Sequence, residues 1–299
     1  MISIFSSPRN FNGIFDIIQQ NAINSWLLID PAIEIYLIDK SDNIPQYLLE
    51  NKRINWLTNV EHNEFGTPLM NSMIKEVEKK TNNNYLLYVS SDIILFPDTL
   101  KIIQPLFFEK KFCAVCIRRD YEQKEPIKFE NGWDKLIQDK LSTVNTTNPM
   151  AGDFFMFPKN FWENFPPFAL GRTMVDGWMM YQTLNQKAKL IDVTPSLIIG
   201  HQNHDYGHHP GGREGVYKGE EAIRNEKLAG GWQYAFSIKD SNFLLRNNKI
   251  LKKGIYGKRI MRKLFTKLVM KHRFYHIYKI VYAILKRFIY REFLTKIPY

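Results

Sequence analysis

The stretch YLLYVSSDIILFPD, residues 85–98, decides the fold. Tyr85–Val89 is a continuous apolar run that reads as a strand. It breaks at Ser90-Ser91-Asp92 and gives way to a second apolar run, Ile93–Phe96. A carboxylate beside such a core is costly to bury unless it is paired or binds a cation. A strand-end Asp can also simply cap a turn. Upstream, strands and helices alternate: Ile2–Ser6, Ile33–Ile38 and Arg53–Val60 read as strands. Asn12–Leu28 reads as a helix with Ile14, Ile17, Ile18 and Ile23 at helical spacing. A second helix is expected from Thr67-Pro68 to about Lys80, with proline at its first position. Strands spaced by helices imply right-handed crossovers and a mainly parallel sheet with helices on both faces. Such α/β sheets bind ligands at the carboxyl ends of their strands. Ser6 to Arg9, Asp39, Asn63 and Asp92 stand at those ends and are expected to converge.

Beyond residue 110 the pattern is mixed. Phe112–Ile117 reads as a buried strand, and its Cys113 and Cys116 would point to opposite faces, which argues against a redox or zinc CxxC pair. Met174–Asn185 reads as a helix entered through Val175-Asp176-Gly177. Ala188–Val193 and Leu197–Gly200 read as strands. The segment IIGHQNHDYGHHPGG, residues 198–212, then supplies four of the chain's seven histidines, one Asp and a Gly-Gly pair. Imidazoles and a carboxylate at a strand end suit a metal, a phosphate or both. Mg²⁺ and Mn²⁺ suit carboxylates and Mn²⁺ also accepts imidazole, so Asp92 with His201 is a sensible pair for one divalent ion.

Asp176, before Gly177-Trp178 at a helix start, is either an N-cap or a general base for an acceptor hydroxyl. Trp178 offers an apolar face for a sugar ring. Gly152-Asp153 forms a strand-end turn, or a backbone gap and carboxylate facing a bound sugar. His204, Arg213 and Lys218 are candidates for phosphate contact, and Ser6, Arg9 and Ser91 for nucleotide contact. The chain lacks GxGxxG, GxxxxGK[ST] and GxSxG patterns, so a dinucleotide fingerprint, a P-loop and a hydrolase elbow are unsupported.

At 299 residues, 44% hydrophobic and 14% aromatic, the chain is globular rather than disordered. Its net charge of +11 is unevenly placed. Lys249 to Tyr299 holds 15 Lys/Arg against a single acid, Glu292, whereas the rest holds 26 bases against 29 acids. The expected division is a body over residues 1–246 and a basic, amphipathic helical tail over 247–299. No run approaches the roughly 18 apolar residues of a spanning helix, and the N-terminus lacks a basic leader. These features point to a cytoplasmic protein whose tail meets the anionic inner face of the cell membrane.

YLLYVSSDIILFPD resembles the strand–DxD segment of GT-A glycosyltransferases, with Asp92 at the last Asp of the motif. Residues 150–232, with DFFMFPKNFWENFPPFALGRTMVDGW and HQNHDYGHHPGGREGVYKGEEAIRNEKLAGG, resemble a family of bacterial GT-A-like enzymes found with surface-polysaccharide genes. The resemblance implies a nucleotide-sugar donor and a glycan or lipid-linked acceptor. It also implies Asp92 and His201 on a divalent metal, Asp39 on the nucleoside and Asp176 as the base of an inverting transfer. Ser90 stands where the motif has its first Asp, which leaves fewer carboxylates for the ion. Two other classes compete: a zinc hydrolase using His201, His204, Asp205 and His208, and a basic protein that binds membrane or nucleic acid without catalysis. The tail's cations alternate with Ile, Leu, Phe and Tyr at helical spacing and carry no nucleic-acid module, which disfavours nucleic acid as partner.

Overall fold

The computed structural model describes residues 1–38, 42–146, 148–150, 152–205 and 211–254. Asp39, His208, His209 and the expected tail helices (258–295) lie outside these residues. The first half alternates as expected: β1 (Ile2–Ser6), α1 (Gly13–Leu27), β2 (Glu34–Ile38), α2 (Gln46–Leu49), β3 (Ile54–Leu57), α3 (Met70–Lys80) and β4 (Tyr85–Val89). The chain continues through β5 (Ile93–Ile94), α4 (Thr99–Ile103), β6 (Phe112–Ile117), β7 (Arg119–Tyr121) and α5 (Trp133–Ser142). Then come β8 (Gly152–Pro158), α6 (Val175–Asn185), β9 (Lys189–Asp192) and β10 (Gly200–Gln202). The last elements are α7 (Gly212–Lys218), α8 (Glu220–Ala229), β11 (Phe243–Arg246) and β12 (Lys249–Lys252).

Among the described residues, nine strands form one sheet in the order β12-β11-β9-β6-β8-β4-β1-β2-β3. β3, β2, β1 and β4 pair in parallel, as do β6, β9 and β11, while β8 and β12 run against their neighbours. The fold is mixed α/β with a large, mostly parallel sheet. Its apolar runs are continuous because both faces are covered. On one face Ile4, Leu87, Ala114 and Phe154 pack with Ala22, Ile23 and Trp26 of α1. On the other, Phe5, Leu86, Val115 and Phe155 pack with Met73 and Val77 of α3 and Met179 of α6. Cys113 and Cys116 fall in opposite layers, both buried, as strand alternation requires.

Three expectations shift. Leu197–Gly200 is not a strand. Leu197 and Ile199 are buried in an irregular approach, and the pairing starts at Gly200, where a Cβ would lie 2.8 Å from Leu141 Cδ1. The helix expected from Thr67-Pro68 begins at Met70, because Pro68 and Leu69 form bridges to His62 and Ala169 and Leu69 is extended. The sheet also runs past Arg246: Asn247 and Asn248, with φ of 50° and 57°, make a tight turn that folds β12 onto β11.

Candidate functional site

A second, three-stranded sheet in the order β5-β10-β7 sits beyond the carboxyl ends of β4 and β6. β10 pairs antiparallel to β5 and parallel to β7, so His201 is the register partner of both Ile93 and Asp120. The strand break that the sequence places at Asp92 thus delivers that carboxylate to an imidazole over 100 residues away. Gln202, completely buried, locks the join. Its backbone N–H and its side-chain Nε2 both donate to the Asp92 carbonyl, at 3.2 and 3.1 Å, and its Oε1 accepts from Asn21 of α1 at 2.9 Å.

Asp92 Oδ2 lies 3.5 Å from His201 Nε2 and 3.1 Å from His204 Nε2. One ligand atom from each of these three residues fits within 4.8 Å of the others, the grouping needed to hold a metal ion. Asp92 Oδ1 is buried and without a hydrogen-bond partner. A cation would satisfy this otherwise costly atom. One carboxylate and two imidazoles suit Zn²⁺, or Mn²⁺ as a carboxylate-binding ion that also accepts imidazole, better than Mg²⁺. His204, expected beside phosphate, stands in this cluster with its Nε2 on Asp92. Burial by itself would raise the Asp92 carboxyl, but His201 and His204 outweigh it and hold it well below the ordinary carboxylate range. His201 is pushed up to about 9, against its burial, by Asp92 and Asp120.

A second group of charges lines the same edge. Asp153, at the start of β8, accepts from Ser90 Oγ at 2.9 Å and from Arg118 Nη1 at 2.9 Å. Arg118 also places Nε 3.0 Å from Asp120 Oδ1. Next to Asp153, the Gly152 N–H donates to Asp176 Oδ2 at 3.1 Å. Asp176 stands in the first turn of α6, whose entry is strained: Met174 has φ of 82°. Gly177 follows because the helix start presses on residue 235, where a Cβ would lie 2.8 Å from the Ala235 Cα. Burial, then the neighbouring Asp153, raise the Asp176 carboxyl well above its ordinary value.

Of the residues read as nucleotide contacts, Arg9 and Ser91 come together through α1. Gln19 Oε1 accepts from the Arg9 N–H and from Ser91 Oγ, the latter at 3.2 Å. The Arg9 guanidinium lies 5.5 Å over the Phe15 ring, which meets His204 at 5.0 Å. Ser6 is completely buried, so its hydroxyl is removed from the expected nucleotide contact. Asn63 accepts from the Phe65 and Thr67 N–H groups and donates to Glu221, which makes it an organiser of its own loop. Arg213 and Lys218 are exposed on α7, the first over Tyr217 and the second 3.0 Å from Glu214.

Trp178 requires a correction. It is only 7% exposed, and its ring is packed among Trp162, Phe165 and Phe168 at centroid distances of 5.0–6.1 Å. A ring enclosed on this scale packs chiefly as core, and what remains exposed lines a small cleft with Trp162, Glu163, Asn164, Gln182 and Gln186. Sequence reasoning missed Asp120, Arg118, Gln19 and Gln202. Arg118-Arg119-Asp120 directly after the buried run of β6 was the available signal, once β6 is known to end at the same edge as β4.

No protein-family profile and no curated protein sequence matches the chain. Among the solved structures similar to it are the following three. The S. aureus TarS structure (residues 1–349) is 10% identical over 67% of this chain and 60% of its own, with a TM-score of 0.44. GalNAc-T7 with UDP, GalNAc and Mn²⁺ is 15% identical over 74% and 44%, with a TM-score of 0.45. The mannosyltransferase PcManGT from Pyrobaculum calidifontis, in complex with GDP-Man and Mn²⁺, is 10% identical over 70% and 58%, with a TM-score of 0.45. The chain thus spans less than two thirds of the length of each of these structures.

Proposed function

We infer that this protein is a GT-A-type glycosyltransferase, moving a sugar from a nucleotide-sugar donor to a hydroxyl of a glycan or lipid-linked acceptor. The observation that carries this reading is the Asp92–His201–His204 cluster at the carboxyl edge of a mostly parallel sheet, with Asp153 and Asp176 on the same edge. The edge is where such sheets take their ligands. A divalent ion held by Asp92, His201 and His204, Mn²⁺ before Mg²⁺, would neutralise the charge that grows on the departing nucleoside diphosphate. Arg9 and Ser91, tied together by Gln19, border the nucleoside side. Asp153, fixed by Ser90 and Arg118, faces the donor sugar. Asp176 takes the proton from the acceptor hydroxyl as that oxygen attacks the anomeric carbon. Its elevated proton affinity suits a base.

The body and the tail divide the work in this reading. Among the described residues no helix is long and apolar enough to cross a membrane. The basic tail beyond the sheet would hold the enzyme against anionic lipid, where a lipid-linked acceptor for surface-polysaccharide synthesis is found. The discriminating experiment is donor turnover with a panel of UDP-, GDP- and dTDP-sugars, in Mn²⁺ and in chelator. Metal-dependent release of nucleoside diphosphate from one donor class is expected. Absence of turnover with every donor, together with Zn²⁺-dependent ester or amide cleavage, would instead favour the zinc-hydrolase reading of the same imidazoles.

A further inference from the structure

We propose that Asp120 is a positioning residue for His201: it holds the ring's Nδ1 so that Nε2 is the nitrogen presented to the ion. The inference rests on the metal-centre reading above and adds to it a residue outside the ligand set.

Three buried polar atoms carry the argument. His201 Nδ1, Asp120 Oδ1 and Arg118 Nε each have no aligned hydrogen-bond partner. Yet Asp120 Oδ1 lies 3.0 Å from His201 Nδ1 and 3.0 Å from Arg118 Nε. Buried polar atoms in folded proteins are nearly always satisfied, and here a small rotation of one carboxylate satisfies all three. The opposite ring nitrogen, Nε2, already faces Asp92. The placement is built into the backbone, because parallel pairing of β10 with β7 makes Asp120 the direct cross-strand partner of His201. Arg118 then fixes Asp120 in turn. Its Nη1 is bound to Asp153, so the guanidinium cannot follow Asp120 if the carboxylate swings away. An imidazole has two nitrogens and one neutral proton, and a carboxylate on one of them decides which is left to ligate. With Asp120 on Nδ1, the proton sits there and the Nε2 lone pair points at the site.

The test uses the full chain with Mn²⁺ alone as titrant, in wild type, Asp120→Asn and Asp120→Glu. Loss of an outer carboxylate of this kind typically weakens metal affinity about 10–100-fold. We expect a loss in that range for Asp120→Asn by calorimetry, partial recovery in Asp120→Glu, and little change in the metal-free melting temperature. A second measurement holds even if Asp120→Asn does not fold: ¹⁵N spectra of the wild-type imidazoles with diamagnetic Zn²⁺ bound. His201 should show a protonated Nδ1 and a metal-bound Nε2. Metal on Nδ1, or Mn²⁺ affinity in Asp120→Asn equal to wild type, would overturn the positioning role while leaving the metal centre standing. Wild type that takes up neither ion would bring down the metal centre and this inference with it.

Discussion

Replacing Asp176 by Asn separates a catalytic carboxylate from a helix cap, because the two roles move activity and stability in opposite directions. An Asn at position 176 keeps an oxygen for the Gly152 N–H, which now donates at 3.1 Å, so the link between β8 and α6 survives. What disappears is a proton acceptor. General-base catalysis is worth about 10²–10⁴-fold, or roughly 2.7–5.4 kcal/mol of barrier at ~1.36 kcal/mol per decade. The stability effect follows from linkage. The folded carboxyl binds its proton more tightly than an unfolded one, chiefly through burial and then through Asp153. Folding is therefore destabilised as pH rises from the unfolded value, about 3.9, towards the raised folded value. Asn carries no such penalty. Asp176→Asn should accordingly lose two to four decades of kcat, keep donor affinity, and unfold at equal or higher denaturant concentration than wild type at pH 7–8. That advantage should vanish below about pH 4. The assays are single-turnover transfer and urea unfolding across pH. A variant within about threefold of wild-type rate, or one less stable at every pH, would refute the assignment and leave Asp176 as a cap.

Four further substitutions and one truncation test the rest. His204→Ala should weaken Mn²⁺ binding about as much as His201→Ala, since both ring nitrogens face Asp92; calorimetry showing that only His201→Ala does so would return His204 to the phosphate side. Glu221→Gln leaves Arg172, 2.7 Å away and only 10% exposed, as an uncompensated charge, and should cost about 3–5 kcal/mol in urea unfolding at pH 7. Because partners hold the Glu221 carboxyl below its ordinary value despite burial, that difference should shrink as pH falls below about 4.3, and a pH-independent difference would refute the pair as its source. Trp178→Ala should cost about 3–5 kcal/mol as a cavity in the aromatic cluster, and the folded fraction should keep its KM for acceptor; a raised acceptor KM at full stability would restore the stacking role. Removing the tail after Lys253 should abolish co-sedimentation with anionic vesicles at low salt, and equal binding by both forms would remove the membrane role.

The parallel half of the fold was legible because its signal is local. A run such as Tyr85–Val89 can hardly be other than a covered strand, and helical spacing in the Asn12–Leu28 segment fixes the crossover. Element ends were less so, since Leu69 is held extended by bridges to distant residues that no local preference encodes. Asp92, His201 and Asp176 could be picked out as polar residues at element boundaries. Asp120 could not, because its meaning depends on β7 pairing with β10, a contact across about eighty residues. Trp178 misled for a related reason. A tryptophan beside a candidate base looks the same in sequence whether it faces solvent or, as here, three other aromatic rings. The asparagine pair at 247 and 248 was a readable turn signal hidden by the charge of the segment that follows.

The charges at this edge would favour a cation in the proposed site. Asp92, Asp120, Asp153 and Asp176 crowd one end of the sheet, and a diphosphate is itself anionic. Arg118 is a half-buried guanidinium among them, shared between Asp120 and Asp153. Burial and the neighbouring Asp153 raise the proton affinity of Asp176, while Asp92 keeps two imidazoles and one empty-handed oxygen. A protonated His201 balances Asp92 in the free protein, but a singly charged imidazolium cannot also offset an incoming diphosphate. A dication in the same place replaces one positive charge by two and turns the Asp92 oxygen from a cost into a bond. In the proposed site the three-stranded sheet would therefore do what a second carboxylate could otherwise do. It brings His201 and His204 to Asp92, so in the proposed site a second imidazole would stand in for the carboxylate that Ser90 lacks.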